Sequence, residues 1–533
     1  MKGESITLNK KKNWLAVLST AAILAGGVTS NPLSTHAADA TEAMQLRTVI
    51  QNMQGKVQWN PRSKQVDIRA DGLNASLQVG SGKATINGSS VSLDSSTYLA
   101  NGKTYISGNT FSLLQDAVLK AQNKTGFELA ASFQMPGNKA EIAASTPDGN
   151  RLLVTEADLG SISVLDISDL KQVRVLKTIS FHELSPAAEV TSVTVSKDGQ
   201  YGLAVLRTGD TDLNANKGLL AIVDLSTYTT VKTYELGIGP DSIALSPDGK
   251  QAVIAIEDEE LNKEADEIDY ANAKRPGSIM IVSFPDGDVL QGEVTDIPVS
   301  LAEVPGAIYP HDPQPEYVAI SPDSTTAAVT LQENNVIALV DLRTKQLSHV
   351  FSLGTTSHPA DLEDGGVVDF TDALTARYEP DGIAFTADGQ YVLTANEGDL
   401  GKNEFKDGVK AGGRNIAVWN LQGQRIYDSQ NLIDEATAKV GLYPDDRSPN
   451  KGSEVENVTI ADVDGVAIAA VASERADAIL FFNLNNPAEP SYMGLIPTAG
   501  ESPEGIHKIQ GRSVFVSADE STGTLSFFAK WDF

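Results

Sequence analysis

The chain has 533 residues, no cysteine and a formal charge of −29 from 41 basic and 70 acidic residues. Without cysteine there are no disulfides, thiolate metal sites or thiol nucleophiles, and the negative charge argues against nucleic acid as a partner, because a polyanion is repelled. An apolar share of 41% is enough for a core, so the length calls for several domains or one large repeat architecture.

Lys2 and Lys10, Lys11 and Lys12 precede an apolar run from Trp14 to Val28, and small residues then lead to Thr35-His36-Ala37 and Ala38-Asp39-Ala40. A basic segment, a short apolar segment and an Ala-x-Ala-like site read as a secretory signal peptide over 1–37, cleaved after Ala37 or Ala40. The run is too short for a comfortable membrane span, and no later run approaches one. The expected mature protein is therefore secreted and extracellular, without a transmembrane segment, and associates with the cell wall only non-covalently.

Residues 43–122 read as a small α+β domain. Gln65-Val66-Asp67-Ile68-Arg69, Ala75-Ser76-Leu77-Gln78-Val79 and Ala84-Thr85-Ile86 alternate polar and apolar residues between Gly, Asn and Ser turns, the pattern of short hairpin strands. The spacing of Phe111, Leu113, Leu114, Val118 and Leu119 predicts a helix over 110–121. Gly55-Lys56-Val57-Gln58-Trp59-Asn60, Ile86-Asn87-Gly88 and Tyr98 to Ser107 resemble the copper amine oxidase N-terminal-like domain of bacterial surface proteins. That resemblance implies an accessory module and not an oxidase. No copper is expected, since no histidine lies between Ala37 and Gln134.

From residue 127 the chain repeats. Ser-Pro-Asp-Gly-type turns carry Asp148, Asp198, Asp248, Asp323 and Asp388, each between two short strands, and looser copies follow at Glu456–Gly465 and Glu504–Gly511. Short strands recurring at this period predict a seven-bladed β-propeller over 127–533, so the fold class is mainly β. Residues 127–133 align with the outer strand of a blade, and the chain ends on a third strand at Gly523–Phe528. The N-terminal strand is thus expected to close the last blade and cover two open sheet edges.

Six of the seven units begin with a carboxylate: Glu141, Asp241, Glu316, Asp381, Glu456 and Glu504; the second unit has Thr191. First strands line a propeller axis, so these acids are expected to ring one mouth of the channel, where like charges raise one another's pKa or take a cation. A hydrated polar rim is the alternative use of the same residues. Second-strand ends add Glu397 and Asp399, and hard oxygen ligands suit Ca²⁺. Denser acid patches occupy Glu257–Asp269 and Asp361–Asp372, and Asp210–Gly218 begins like a calcium loop but has Ala221 where a bidentate Glu is needed.

For catalysis the sequence offers little. No Gly-x-Ser-x-Gly, His-Glu-x-x-His or Walker motif occurs. His311 and His507 are candidate bases or ligands, and Arg275, Arg414, Arg447 and Lys451 are candidate anion binders at the mouth. Tyr391 to Asp399, Asp446 to Val458 and Ala472-Ser473-Glu474-Arg475 are similar to the choice-of-anchor I propeller family, related to mesenchyme-specific cell surface glycoproteins. The family's usual Pro-Glu-Gly is Val455-Glu456-Asn457 here. The resemblance implies a surface propeller, with mineral or calcium association in the animal relatives. The expected function is a monomeric, non-catalytic, exported propeller that binds a cation, Ca²⁺ by its ligand chemistry, or a cell-wall or extracellular ligand. The alternative is a metal-dependent hydrolase acting on a phosphoester or lactone at the channel mouth.

Overall fold

The computed structural model describes residues 43–95, 97–209, 216–262, 267–268, 270–398 and 408–530. The expected signal peptide, most of the Asp210–Gly218 loop, part of the Glu257–Asp269 patch and Asp399 lie outside the described residues.

Lys56–Asn60, Gln65–Ala70, Leu73–Gln78, Lys83–Ile86 and Ser89–Ser92 form a five-stranded antiparallel meander. Val66, Ile68, Leu73, Ala75, Leu77, Ala84 and Ile86 turn inward from it at alternate positions, as period-two patterning requires. At the turn after Ile86, both Asn87 (φ 46°) and Gly88 (φ 83°) are left-handed, the geometry of a tight hairpin. A second, three-stranded sheet pairs Ala43–Gln45 and Tyr98–Ala100 with Lys103–Ser107. The helix runs from Gly108 to Gln122, slightly longer than its apolar spacing suggested, because the Ser107 hydroxyl caps it by accepting from the Thr110 amide at 3.1 Å.

Four-stranded antiparallel sheets follow, seven among the described residues. Their first strands or strand-entry residues recur as the sequence repeat does, and their second strands are Arg151–Glu156, Tyr201–Arg207, Gln251–Ile256, Thr326–Leu331, Tyr391–Asn396, Val466–Ser473 and Val514–Asp519. Both faces of these strands are buried, so they read as continuous apolar runs (Leu203 to Leu206, Ala252 to Ile256) and not as alternation. The turn aspartates act locally. In the second sheet Asp198 accepts from the Ser196 hydroxyl (2.6 Å) and the Gln200 amide (3.0 Å), while Gly199 is left-handed (φ 72°). The same bond recurs from Thr146, Ser246, Ser321 and Thr386 to the aspartate two residues on.

The innermost strand of each sheet touches that of the next, and that of the seventh touches that of the first. The seventh sheet is completed from the other end of the repeat region: Thr524–Lys530 pairs antiparallel with Phe127–Gln134. Phe127 is buried there, stacked on Phe481 at 5.2 Å and edge-on to Phe515 at 5.4 Å. Insertions into the repeat include a hairpin of Thr355–Ala360 with Asp372–Arg377 and a helix at Leu432–Lys439. The N-terminal segment packs beside them. Gln115 Nε2 donates to the Val440 carbonyl (2.9 Å), the Lys124 amide donates to that of Met493 (2.8 Å), and Leu114 and Val118 share one core with Ile433, Val440 and Leu495.

Candidate functional site at the acid-lined mouth

The residues that enter the first strands line one cavity of about 170 Å³: Glu141, Thr191, Asp241, Glu316, Asp381, Glu456 and Glu504, joined by Glu189, Arg207, Tyr317 and Asn457. All six first-strand carboxylates read from the repeat thus come to one place. The reason is register. Val190, Pro240, Val455 and Pro503 each pair with the matching residue of a second strand (Leu206, Ile256, Ser473, Asp519), and in each sheet the pairing slips at the next residue. That residue is Thr191, Asp241, Glu456 or Glu504, and the bulge turns its side chain out of the ladder. In no sheet does the acid begin the strand, as the repeat had suggested: Asp241, Glu456 and Glu504 are second in theirs, and in three sheets the acid precedes the strand. Glu141, Glu316 and Asp381 stand two residues before Ala143–Ser145, Val318–Ile320 and Ile383–Phe385.

Convergence changes the chemistry of these groups. Burial, reinforced by Glu520 and Glu504, pushes the Glu141 carboxyl up to about 8. Glu316, Asp381 and Glu456 are held well above the usual carboxylate range, by burial first and by neighbouring carboxylates second.

The charge is compensated unevenly. In the second sheet the missing acid is Thr191, whose hydroxyl donates to the Asp241 carbonyl at 2.7 Å. The same sheet supplies Arg207, which meets Glu257 at 2.7 Å, Glu259 at 3.6 Å and Asp241 at 3.7 Å. Burial still raises Asp241, but with Arg207 opposing it reaches only about 6. Among the described residues no Lys or Arg lies within ion-pair distance of Asp381 or Glu456. These two and Glu397 are buried and bring carboxylate oxygens within 4.8 Å of one another. Glu397 accepts from Gln332 Nε2 (2.7 Å) and from Lys451. Among the described residues Glu456 Oε2 and Glu316 Oε2 have no hydrogen-bond partner. A donor set of carboxylate oxygens with orphaned, buried lone pairs fits a hard cation such as Ca²⁺ and offers nothing to a soft one.

Beside this trio, Glu397, Glu454 and Glu474 form a second grouping and Glu474, Glu504 and Glu520 a third. Burial opposes ionisation of Glu454, but Lys451, Arg475 and Arg447 outweigh it and hold the carboxyl below its usual range. Arg447 and Lys451 are therefore bound to acids of the site and are not free anion binders in the cavity. Arg275 pairs with Asp258 at 2.8 Å, and Arg414 is buried against the Asp361, Ser448 and Asn450 carbonyls, away from the mouth. The candidate bases are elsewhere too: His507 Nε2 accepts from the Ser145 amide at 3.1 Å, and His311 stands edge-on to Tyr309. Arg207, Glu189, Tyr317 and Asn457 were not anticipated. Arg207 had a signal, since it stands where the second strands of other units end in Glu257, Glu397, Glu474 and Glu520.

Four-stranded antiparallel sheets whose first strands converge on a polar axial cavity define a β-propeller. The chain belongs to the choice-of-anchor I domain family, whose profile matches residues 141–411 and 400–487, and the copper amine oxidase N-terminal domain profile matches residues 33–126. No curated protein matches the sequence. Similar solved structures include the β-propeller domain of Cps50 (Swd1) from Myceliophteria thermophila, 10% identical over 76% of this chain and 99% of that one, with a TM-score of 0.47. Kuenenia stuttgartiensis hydrazine synthase is 13% identical over 74% and 96% of the two chains, with a TM-score of 0.47. A chain of a mitotic checkpoint complex is 12% identical over 76% and 92%, with a TM-score of 0.48. Among the described residues no helix is long and apolar enough to cross a membrane.

Proposed function

We propose that the seven sheets are the blades of one closed propeller, clasped by Phe127–Gln134, and that its acid-lined mouth binds Ca²⁺ on an exported, cell-surface protein with no catalytic role. Membership of the choice-of-anchor I family fits a cell-surface protein. The observation that carries the cation reading is the uneven compensation of the mouth. Arg207 serves the Asp241 side, whereas among the described residues no Lys or Arg reaches ion-pair distance of Asp381 or Glu456, and Glu456 keeps a buried oxygen with no donor among them. Buried carboxylates left so must hold protons or take up a cation. Asp381, Glu397 and Glu456 would be the ligands, with Glu316 within reach of the same cavity. The N-terminal module is a fixed flank of the propeller in this reading, and the cation or a wall ligand is the partner.

The test is thermal melting of the whole chain in Ca²⁺ against chelator, with elemental analysis of the dialysed protein. A ligand bound only by the native state raises the melting temperature. A rise with Ca²⁺ that is lost in Asp381→Asn supports the reading; no bound metal and no rise rejects it.

A further inference from the structure

We propose a second cation site, separate from the mouth, held by Asp312 Oδ2 and Gln314 Oε1 on the segment that joins the third sheet to the fourth. Both side chains are buried, Asp312 1% and Gln314 0% exposed, and one oxygen of each, Asp312 Oδ2 and Gln314 Oε1, is without a hydrogen-bond donor among the described residues. An acceptor in that state forfeits its hydration and gains nothing in return.

The orphaned oxygens are not the product of a freely turning side chain. Gln314 Nε2 donates to Asp312 Oδ1 at 2.8 Å, which fixes the amide with its nitrogen toward the carboxylate. The opposite orientation would set two acceptor oxygens against each other. The backbone is equally constrained. Asn334, fully buried, donates through Nδ2 to the Ile308 and Asp312 carbonyls (both 2.9 Å) and accepts the Gln314 amide on Oδ1 at 2.8 Å. The Gly277 amide donates to the Pro313 carbonyl at 2.9 Å, and a Cβ on Gly277 would stand 2.7 Å from that oxygen. Pro313 and Pro315 fix φ on either side of Gln314 and hold the residues before them extended.

Nor does the nearest guanidinium supply the missing donor. Arg275 gives Nε and Nη2 to Asp258 at 2.9 and 2.8 Å and approaches Glu260 at 4.0 Å. The surroundings are thus acidic and held in place, and one carboxylate oxygen and one amide oxygen of the same short segment are left without donors. Carboxylate and Gln carbonyl oxygens are both ligands of hard cations, whose remaining positions water can fill. The rival arrangement is a proton on Asp312 that closes a second bond to Gln314.

Asp312→Asn, Glu456→Gln and the double variant, each as the full chain, separate the two sites by metal content and melting in Ca²⁺ against chelator. Asp312→Asn should bind one Ca²⁺ equivalent fewer than wild type, Glu456→Gln should lower binding independently, and the double variant should lose both. Gln314→Glu adds a carboxylate, so its melting temperature should fall in chelator and rise further than wild type with Ca²⁺. Unchanged metal content in Asp312→Asn, as the shared proton requires, overturns the proposal whatever the mouth does. Should that variant not fold, an unchanged Ca²⁺ response in Gln314→Glu overturns it instead.

Discussion

At the residue scale, the mouth balances burial against repulsion. Glu456→Gln removes one of the carboxylates that Asp381 and Glu397 face, so in chelator it should raise the melting temperature. With Ca²⁺ the order reverses, and differential scanning calorimetry in the two buffers reads both effects. The pH response follows from two groups of opposite sign. Glu141 titrates near 8 in the folded chain against an ordinary 4.5. The native state therefore binds the extra proton between those values, and this contribution, complete below about 4.5, is lost as pH rises toward 8. Burial, with Lys508 adding to it, lowers His507 from 6.5 to about 4, so its contribution is complete above 6.5 and is lost as pH falls toward 4. Cation-free protein should melt highest in mildly acidic buffer, and Ca²⁺ should flatten the alkaline limb alone; an alkaline limb indifferent to Ca²⁺ counts against a cation at the mouth. The six acids were legible because a repeat puts equivalent residues in equivalent places. Arg207 and Asn457 were not, because their roles depend on which unit breaks the pattern and what stands across the cavity from it.

At the element scale, two kinds of glycine carry different costs. Gly389 is left-handed (φ 67°) in its turn, and a Cβ there meets nothing closer than 3.5 Å. Gly389→Ala should cost about 1–2 kcal/mol from backbone conformation alone. Gly505 follows the mouth acid Glu504, and a Cβ there would stand 2.3 Å from the Glu141 carbonyl. Gly505→Ala must push the first strand of the seventh sheet away from the segment that enters the first sheet, an overpacking cost of about 1–3 kcal/mol that also alters the cavity. Urea melts of the two variants, with Ca²⁺ uptake measured alongside, distinguish them: Gly389→Ala should keep full uptake and Gly505→Ala should not. The turns were plain in the sequence, since Ser-x-Asp-Gly makes its bonds within five residues. The bulges at Thr191, Asp241, Glu456 and Glu504 were not, because a bulge is a mismatch between two strands, and neither strand spells it alone.

At the scale of the whole molecule, the two ends of the repeat region pair with each other in one sheet. Phe127 fills the gap between the sixth and seventh sheets, and Phe127→Ala should cost about 3–5 kcal/mol, read as a lower midpoint in denaturant melts. The N-terminal segment shares its core with the fifth and sixth sheets, so calorimetry should show one unfolding transition; a separate peak for the small segment would refute that coupling. The sequence by itself determined the repeat, the turn chemistry, the families to which the segments are similar and the set of first-strand acids, because each depends on spacing along the chain. Only the tertiary structure decided that Arg207 neutralises one side of the mouth, that Asp381, Glu397 and Glu456 gather on another, and that Asp312 Oδ2 and Gln314 Oε1 find no donor among the described residues. Those outcomes depend on distances between residues far apart in sequence and on the removal of water from between them, and a linear pattern encodes neither.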